Sequence, residues 1–166
     1  GEVSNPTEME YLMQLANNKP VIEYCGGTEI GGGYVTSTVV QPNIASTFST
    51  QALGGEFVLL NDSNEVSTKG ELFLIPPIMG LSTSLINRNH FDVYYKDTPT
   101  YKGKLLRRHG DALEQLENGY YKAQGRVDDA MNLGGIKVSS VQIESVLNKL
   151  DFIKESAAIA VVYALV

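Results

Sequence analysis

Apolar residues along this chain recur first with the period of a helix, then with that of strands, and near the end with that of a helix again. Met9, Leu12, Met13 and Leu15 fall on one helical face behind Asn5-Pro6-Thr7-Glu8. There Asn5 can accept a backbone N–H bond, Pro6 suits the first helical position, and Glu8 stands in the manner of a capping box. The spacing predicts a helix over 6–17, closed by Asn17-Asn18 and Pro20, followed by a short strand at Val21-Ile22-Glu23-Tyr24. From about residue 55 the texture is β. Glu56–Leu60 and Gly70–Ile75 read as strands around an Asn61–Asn64 turn, with Pro76-Pro77 ending the second. Ser82–Phe91 carries Leu85 and Ile86 and reads as a modest helix, and Leu105–Asp111 as a strand ending in a polar turn. Asn118-Gly119 closes a hairpin between Ala112–Leu116 and Tyr120–Ala123. Ser139 and Gln142 form a second capping box, before an apolar face of Ile143, Val146, Leu147 and Leu150 on a helix over 140–149. Ala157–Val166 is a β-type run. No internal repeat and no low-complexity linker interrupts the chain; the change from hairpin to helix-and-strand texture puts a domain boundary at Arg126–Asp129.

Composition narrows the partners. In 166 residues, 43% hydrophobic with 19% charged suits a globular chain with a core of its own. A net charge of -6 leaves no basic stripe along which nucleic acid would lie. The cluster Lys102, Lys104, Arg107, Arg108 reads as a solvated strand edge. One cysteine, Cys25, makes no internal disulfide and fits a reducing compartment. Nothing resembles a signal peptide and no apolar run reaches the roughly 18 residues of a membrane span, so the expectation is a cytoplasmic protein without a membrane partner.

Some stretches carry candidate chemistry. In Cys25–Gly33 the glycines let another molecule approach the backbone, the Thr28 hydroxyl can bond a phosphate oxygen, and the Glu29 carboxylate is the hard donor that Mg²⁺ prefers; a mobile loop would look the same. Asp111, after a glycine at a strand end, can reach vicinal hydroxyls such as those of ribose, or serve as an ordinary turn aspartate. His90 and His109 have no partner pattern in sequence and are not expected to be catalytic. Gly125–Glu144 combines an Asp128-Asp129 pair, a Gly134-Gly135 pair and a helix start. That is more than a core segment needs, though turns use the same residues.

Together these pieces resemble the adenylate-forming acyl-activating enzymes, and among them the acetyl-CoA-synthetase-like acid–CoA ligases, over nearly the whole chain. Gly1-Glu2-Val3-Ser4-Asn5-Pro6 resembles the family's adenine-lining segment, and Gly26-Gly27-Thr28-Glu29 its aromatic-Gly-x-Thr-Glu signature. Gly70-Glu71-Leu72 resembles its Gly-Glu-Leu strand, Arg108-His109-Gly110-Asp111 its Arg-Thr-Gly-Asp turn, and Gly125–Glu144 its hinge. The resemblance implies an α+β fold. Residues 1–126 would be the β-rich, distorted barrel-like late part of a large nucleotide-binding domain, and 127–166 the hinge and the start of a small α+β domain.

It also implies an activity: a carboxylic acid joins the α-phosphate of ATP, releasing pyrophosphate, and the acyl group then passes from AMP to the thiol of coenzyme A. Gly1, Glu2, Val3 and Gly27 would line the nucleotide, and Thr28 and Glu29 would meet its phosphates, with Glu29 on Mg²⁺. Asp111 would hold the ribose diol, and Arg126 the ribose or phosphate. Lys137 would stand where relatives often carry a phosphate-binding arginine, binding with less direction as a point charge. Asp128 would be the pivot and Gly135 the clearance beside the pantetheine tunnel. Gly26 lies where acetate-restricted enzymes carry a bulky aromatic residue, so the acyl pocket is expected to admit something larger than acetate.

Departures set further expectations. Cys25 stands where an aromatic ring commonly stacks on adenine. The family's Ser/Thr/Gly-rich phosphate loop and C-terminal lysine are not in this sequence. The glycine/proline-rich turn after Ala157–Val161 is missing as well. Losing one donor to developing phosphoryl charge lowers rates about 10²–10³-fold, so the chain alone is expected to be inactive. The alternative is a non-catalytic module that binds nucleotide or acyl-CoA. Apolar surfaces left uncovered are expected to drive self-association.

Overall fold

The structure, a computed structural model, describes residues 3–133, 136–159 and 161. Gly1, Glu2, Gly134 and Gly135 lie outside the described residues, as do Ala160 and 162–166.

Helix α1 spans Pro6–Leu15, with the Asn5 side chain accepting from the Thr7 N–H at 3.0 Å. Strand β1 (Tyr24–Gly27) runs into a 3₁₀ turn (Thr28–Ile30) and returns as β2 (Gly32–Thr36), which pairs with β3 (Thr50–Gln51). Then come β4 (Phe57–Leu60), β5 (Lys69–Leu74), α2 (His90–Tyr94), and the short β6 (Thr100–Tyr101) and β7 (Lys104–Leu105). The long β8 (Arg107–Gln115) and β9 (Tyr121–Arg126) follow, then β10 (Ala130–Leu133), β11 (Ile136–Ser139) and α3 (Ser140–Leu147). The main sheet is four-stranded, in the order β4-β5-β8-β9, and β1-β2-β3 forms a second sheet. All pairings are antiparallel and, among the described residues, no sheet closes into a barrel. The chain is thus a strand-rich α+β fold.

Strand alternation divides the main sheet into two apolar faces. One face brings Phe57, Leu59, Leu72, Leu74 and Leu113 against Tyr34 and Val35 of β2. The other carries Val58, Leu60, Phe73, Ile75 and Leu106. The glycine of the Gly70-Glu71-Leu72 strand has a packing reason: a Cβ there would lie on the Leu60 carbonyl group, 2.6 Å from its carbon.

Several boundaries depart from the sequence reading. Strand β1 begins only at Tyr24. The segment around Leu85 and Ile86 is not helical; α2 starts at His90, where the Asn89 side chain accepts from the Phe91 and Asp92 N–H groups. The stretch 157–159 forms no strand. The Gly110-Asp111 step is no strand end either. Gly110 adopts φ 89°, which glycine tolerates, and β8 continues through it to Gln115. Arg107 lies within the structure rather than on a solvated edge, 1% exposed, while Lys104 and Arg108 are exposed as expected.

The two sheets meet at a polar contact inside the apolar layer: the Tyr34 hydroxyl of β2 donates to Asp111 Oδ2 of β8. Burial alone would raise the Asp111 carboxyl, but hydrogen bonds from His109 and Tyr34 outweigh it and bring it down to about 2. A carboxyl lowered by folding adds stability above its ordinary titration range and loses it as pH falls through the folded value. The stability gap between the wild type and Asp111→Asn is therefore expected to narrow by about 2 kcal/mol as pH drops from about 5 to about 2. Urea unfolding across that window tests this, and a gap independent of pH would contradict it.

Candidate functional site

The site is built where the Thr28–Ile30 turn faces the middle of β8. In a strand, residues two apart share a face, so Arg107, His109 and Asp111 all point toward β1, β2 and the turn. His109 bridges two carboxylates: Nδ1 lies 3.0 Å from Glu29 Oε1 and Nε2 3.3 Å from Asp111 Oδ2. Its side chain is 7% exposed, with the Tyr34 ring edge-on at 4.9 Å. Glu29, 27% exposed, is the open end of the cluster, and Asp111, at 3%, the closed end. Burial, with the charge at Asp111 beside it, raises the Tyr34 hydroxyl far above its ordinary value, so it remains a donor.

Arg126 closes the far side. Its Nη1 donates to the His109 carbonyl at 3.0 Å and to Asp111 Oδ1 at 3.4 Å, while Nε and Nη2 grip Asp128 at 2.9 and 3.1 Å. The hydrogen bonds from Arg126 hold the Asp128 carboxyl below its ordinary range. Asp128 sits, exposed, in the turn between β9 and β10. A Cβ at Gly110 would come within 2.7 Å of Arg126 Nη2, so this glycine serves the guanidinium as well as the backbone.

The turn itself is fastened from behind. The Ser82 N–H donates to the Glu29 carbonyl at 2.7 Å. Arg107 Nη2 donates to Ser82 Oγ at 2.8 Å and Nη1 reaches the same Glu29 carbonyl at 3.5 Å, while the guanidinium lies 4.0 Å from the centre of the Tyr94 ring. His90 bonds the Ser82 carbonyl at 2.7 Å through Nε2. Tyr94 is thus a platform for a buried cation.

The glycines before the turn have distinct reasons. A Cβ at Gly27 would fall 2.5–2.8 Å from the Glu29 carboxylate, so this glycine leaves room for that side chain. A Cβ at Gly26 would strike the Gly32 carbonyl and lie 2.7 Å from Gly33 Cα; the β1–β2 backbone contact dictates glycine there. Cys25 packs into the core, and burial pushes its thiol up. Val3 is half-buried against the same core, and the Thr28 side chain is exposed at the start of the turn. Lys137 lies on β11 opposite Asn132; its side chain, like Gly1, Glu2 and Gly135, lies outside what the structure describes.

Glu29, Asp111, Arg126 and Asp128 are therefore brought into one connected group. Sequence reading missed His109, Tyr34 and Arg107. The alternation Arg107-x-His109-x-Asp111 on one strand is the signal that could have joined three of these residues. No group of three or more His, Cys, Asp or Glu side chains among the described residues is disposed to hold a metal by itself. A cleft of about 480 Å³ lies on the other face of the main sheet, lined by Phe73, Arg108, Gln124, Arg126, Val138 and Gln142 among others. Of the clustered groups Arg126 borders it, and Glu29 and Asp111 do not.

No family model matches the chain. Individual proteins do. It is 51% identical to probable acyl-activating enzyme 17, peroxisomal, of Arabidopsis thaliana, over 97% of the chain and 23% of that protein. It is 49% identical to a hexanoyl-CoA synthase of Cannabis sativa, over 91% of the chain and 22% of that protein. Among solved structures, an anthranilate CoA ligase in complex with anthranoyl-AMP aligns at a TM-score of 0.65 and 25% identity, covering 89% of this chain and 27% of that one. The chain spans about a quarter of the length of the curated relatives it matches. On these likenesses and on the order of its motifs, the chain belongs to the adenylate-forming acyl-activating enzymes.

Proposed function

We propose that these residues form the nucleotide-facing part of an ATP-dependent acid–CoA ligase. Such an enzyme condenses a carboxylic acid with ATP to an acyl adenylate and pyrophosphate, then transfers the acyl group to the thiol of coenzyme A. The observation that carries the reading is the meeting of Glu29 and Asp111, far apart in sequence, at His109. Nucleotide recognition needs one carboxylate toward the phosphates and another toward the ribose, and these are the two motif carboxylates.

The residues fit Mg²⁺ as a single-carboxylate site. Glu29 offers one partly exposed hard donor, and this cation ordinarily completes its shell with water and phosphate oxygens. When bound, it would neutralise phosphate charge. Thr28 would donate its hydroxyl to a phosphate oxygen. Asp111 would accept from the ribose hydroxyls, in exchange for its 3.4 Å contact with Arg126. Gly1, Glu2, Val3 and Gly27 would line the nucleotide, and Lys137 would meet the phosphate. Asp128 would be the pivot between a large domain over 1–126 and a small one over 127–166, with Gly135 beside the pantetheine. Gly26 enters as a pocket wall with a qualification: any larger residue would have to part β1 from β2. The acid is proposed to be larger than acetate, and the hexanoyl-CoA synthase relative supports that choice. The proposed compartment is the cytoplasm, on the single buried cysteine; no helix among the described residues is long and apolar enough to cross a membrane. One relative is named peroxisomal, and fractionation distinguishes the two.

In the intact protein, Glu29→Gln is expected to slow ATP–pyrophosphate exchange by about 10²-fold. Gly27→Ala should follow it in direction, because the added methyl displaces the same carboxylate. Full exchange activity in both variants would contradict the roles given to them. A polypeptide of residues 1–166 alone is expected to give no exchange with any carboxylic acid, since it does not carry the family's phosphate loop; micromolar AMP binding without turnover would favour a non-catalytic module instead. Leu53, Met79 and Ile86 are exposed apolar residues, and the same polypeptide is expected to self-associate. A monomer by light scattering at high concentration would refute this.

A further inference from the structure

His109 stands where the family resemblance has a threonine, and nothing in the roles given above uses it. Its two ring nitrogens face carboxylate oxygens of Glu29 and Asp111 at 3.0 and 3.3 Å. One rigid ring thus presents a nitrogen to each carboxylate at once. A threonine carries one hydroxyl donor on a short side chain and cannot donate to both at once. The imidazole is fixed in place by its surroundings. It is 7% exposed, the Tyr34 ring meets it edge-on, its own carbonyl is held by Arg126, and Tyr34 takes the same Asp111 oxygen from the other side.

We propose that His109 is a positioning residue that sets the separation and orientation of the two nucleotide-binding carboxylates as a unit. The inference rests on the ligase reading. One rigid ring ties the carboxylate assigned to the cation to the carboxylate assigned to the ribose, so the two ends of the nucleotide site cannot move independently. Each carboxylate keeps one oxygen on the ring: Oε1 of Glu29 and Oδ2 of Asp111. The ring leaves Oε2 of Glu29 to other partners, while Oδ1 of Asp111 accepts from Arg126 Nη1 at 3.4 Å. A donor able to serve only one of the carboxylates would hold its partner loosely, and the nucleotide would have to order it on binding.

The test is steady-state kinetics of the intact protein, with hexanoate as the acid, carrying His109→Thr and His109→Gln. His109→Thr is expected to raise KM for MgATP about tenfold, with KM for hexanoate within about twofold and kcat within about threefold. His109→Gln, whose longer side chain carries two amide N–H donors, should fall between it and the wild type. A double-mutant cycle adds the coupling: placed on Glu29→Gln, His109→Thr should raise KM for MgATP by far less than it does alone. Equal rises in both KM values, or fully additive effects, would overturn the proposal and leave a structural role. If the wild type does not turn over any carboxylic acid, the ligase reading fails. The bridge is then decided by the imidazole nitrogen signals of the nucleotide-free protein in NMR. Glu29→Gln should shift Nδ1 and Asp111→Asn should shift Nε2, and signals indifferent to both changes would overturn the bridge itself.

Discussion

The Asp111 carboxylate is the constraint on which the rest of this structure depends. An ionised carboxylate taken out of water is costly unless its oxygens are hydrogen-bonded, and Asp111 is 3% exposed. Among the described residues its donors include Tyr34 on β2, His109 on β8 itself and Arg126 on β9. Satisfying the charge therefore fixes how the smaller sheet sits on the larger one. The same group is the candidate ribose ligand, so the contact that holds the sheets together also builds the floor of the site. The low titration of Asp111 expresses this dual use, because the Tyr34 bond that favours the charged form also joins β2 to β8.

Around that point, glycines are placed by close approach more than by flexibility. Gly110 makes room for Arg126 and takes a left-handed φ in mid-strand; Gly27 makes room for Glu29; Gly26 lets β1 lie against β2. Behind the Thr28–Ile30 turn, Arg107 plays the complementary part. A buried guanidinium without a carboxylate partner among the described residues is unusual, and here it is held by Ser82, the Glu29 carbonyl and the face of Tyr94. The cation braces the backbone of the residue whose carboxylate faces the site. Segment 82–94 is thus tied to the candidate site through Ser82 and Tyr94.

Much of this was legible locally and little of it at long range. The capped start of α1, the Asn118-Gly119 hairpin and the Ser139–Gln142 capping box follow from turn and cap chemistry, which neighbouring residues decide. The motif carboxylates Glu29 and Asp111 were legible through the family resemblance. The partners that orient them were not, because a hydrogen bond from Tyr34 to Asp111 leaves no trace in spacing. Arg107 was misread for a related reason: charge argues for a solvated edge, and only the aromatic and hydroxyl partners from a distant segment reverse that. The false helix over 82–91 arose from apolar residues without a cap. Asn89, the real cap, lies further along and starts the helix at His90.

Arg126 joins the site to the turn that carries the proposed pivot, and the magnitudes indicate which of its contacts yields first. Its paired bonds to Asp128 measure 2.9 and 3.1 Å, yet Asp128 is 68% exposed, and exposed ion pairs contribute only about 0–1 kcal/mol. Its bonds to the His109 carbonyl and to Asp111 measure 3.0 and 3.4 Å, and opening the second would take a donor from a carboxylate that is 3% exposed. A rotation about the 127–129 turn would therefore release Asp128 at small cost and leave Arg126 on β8. The guanidinium would then stay with β8, where the nucleotide is proposed to bind, and Asp128 would hold it in one arrangement only.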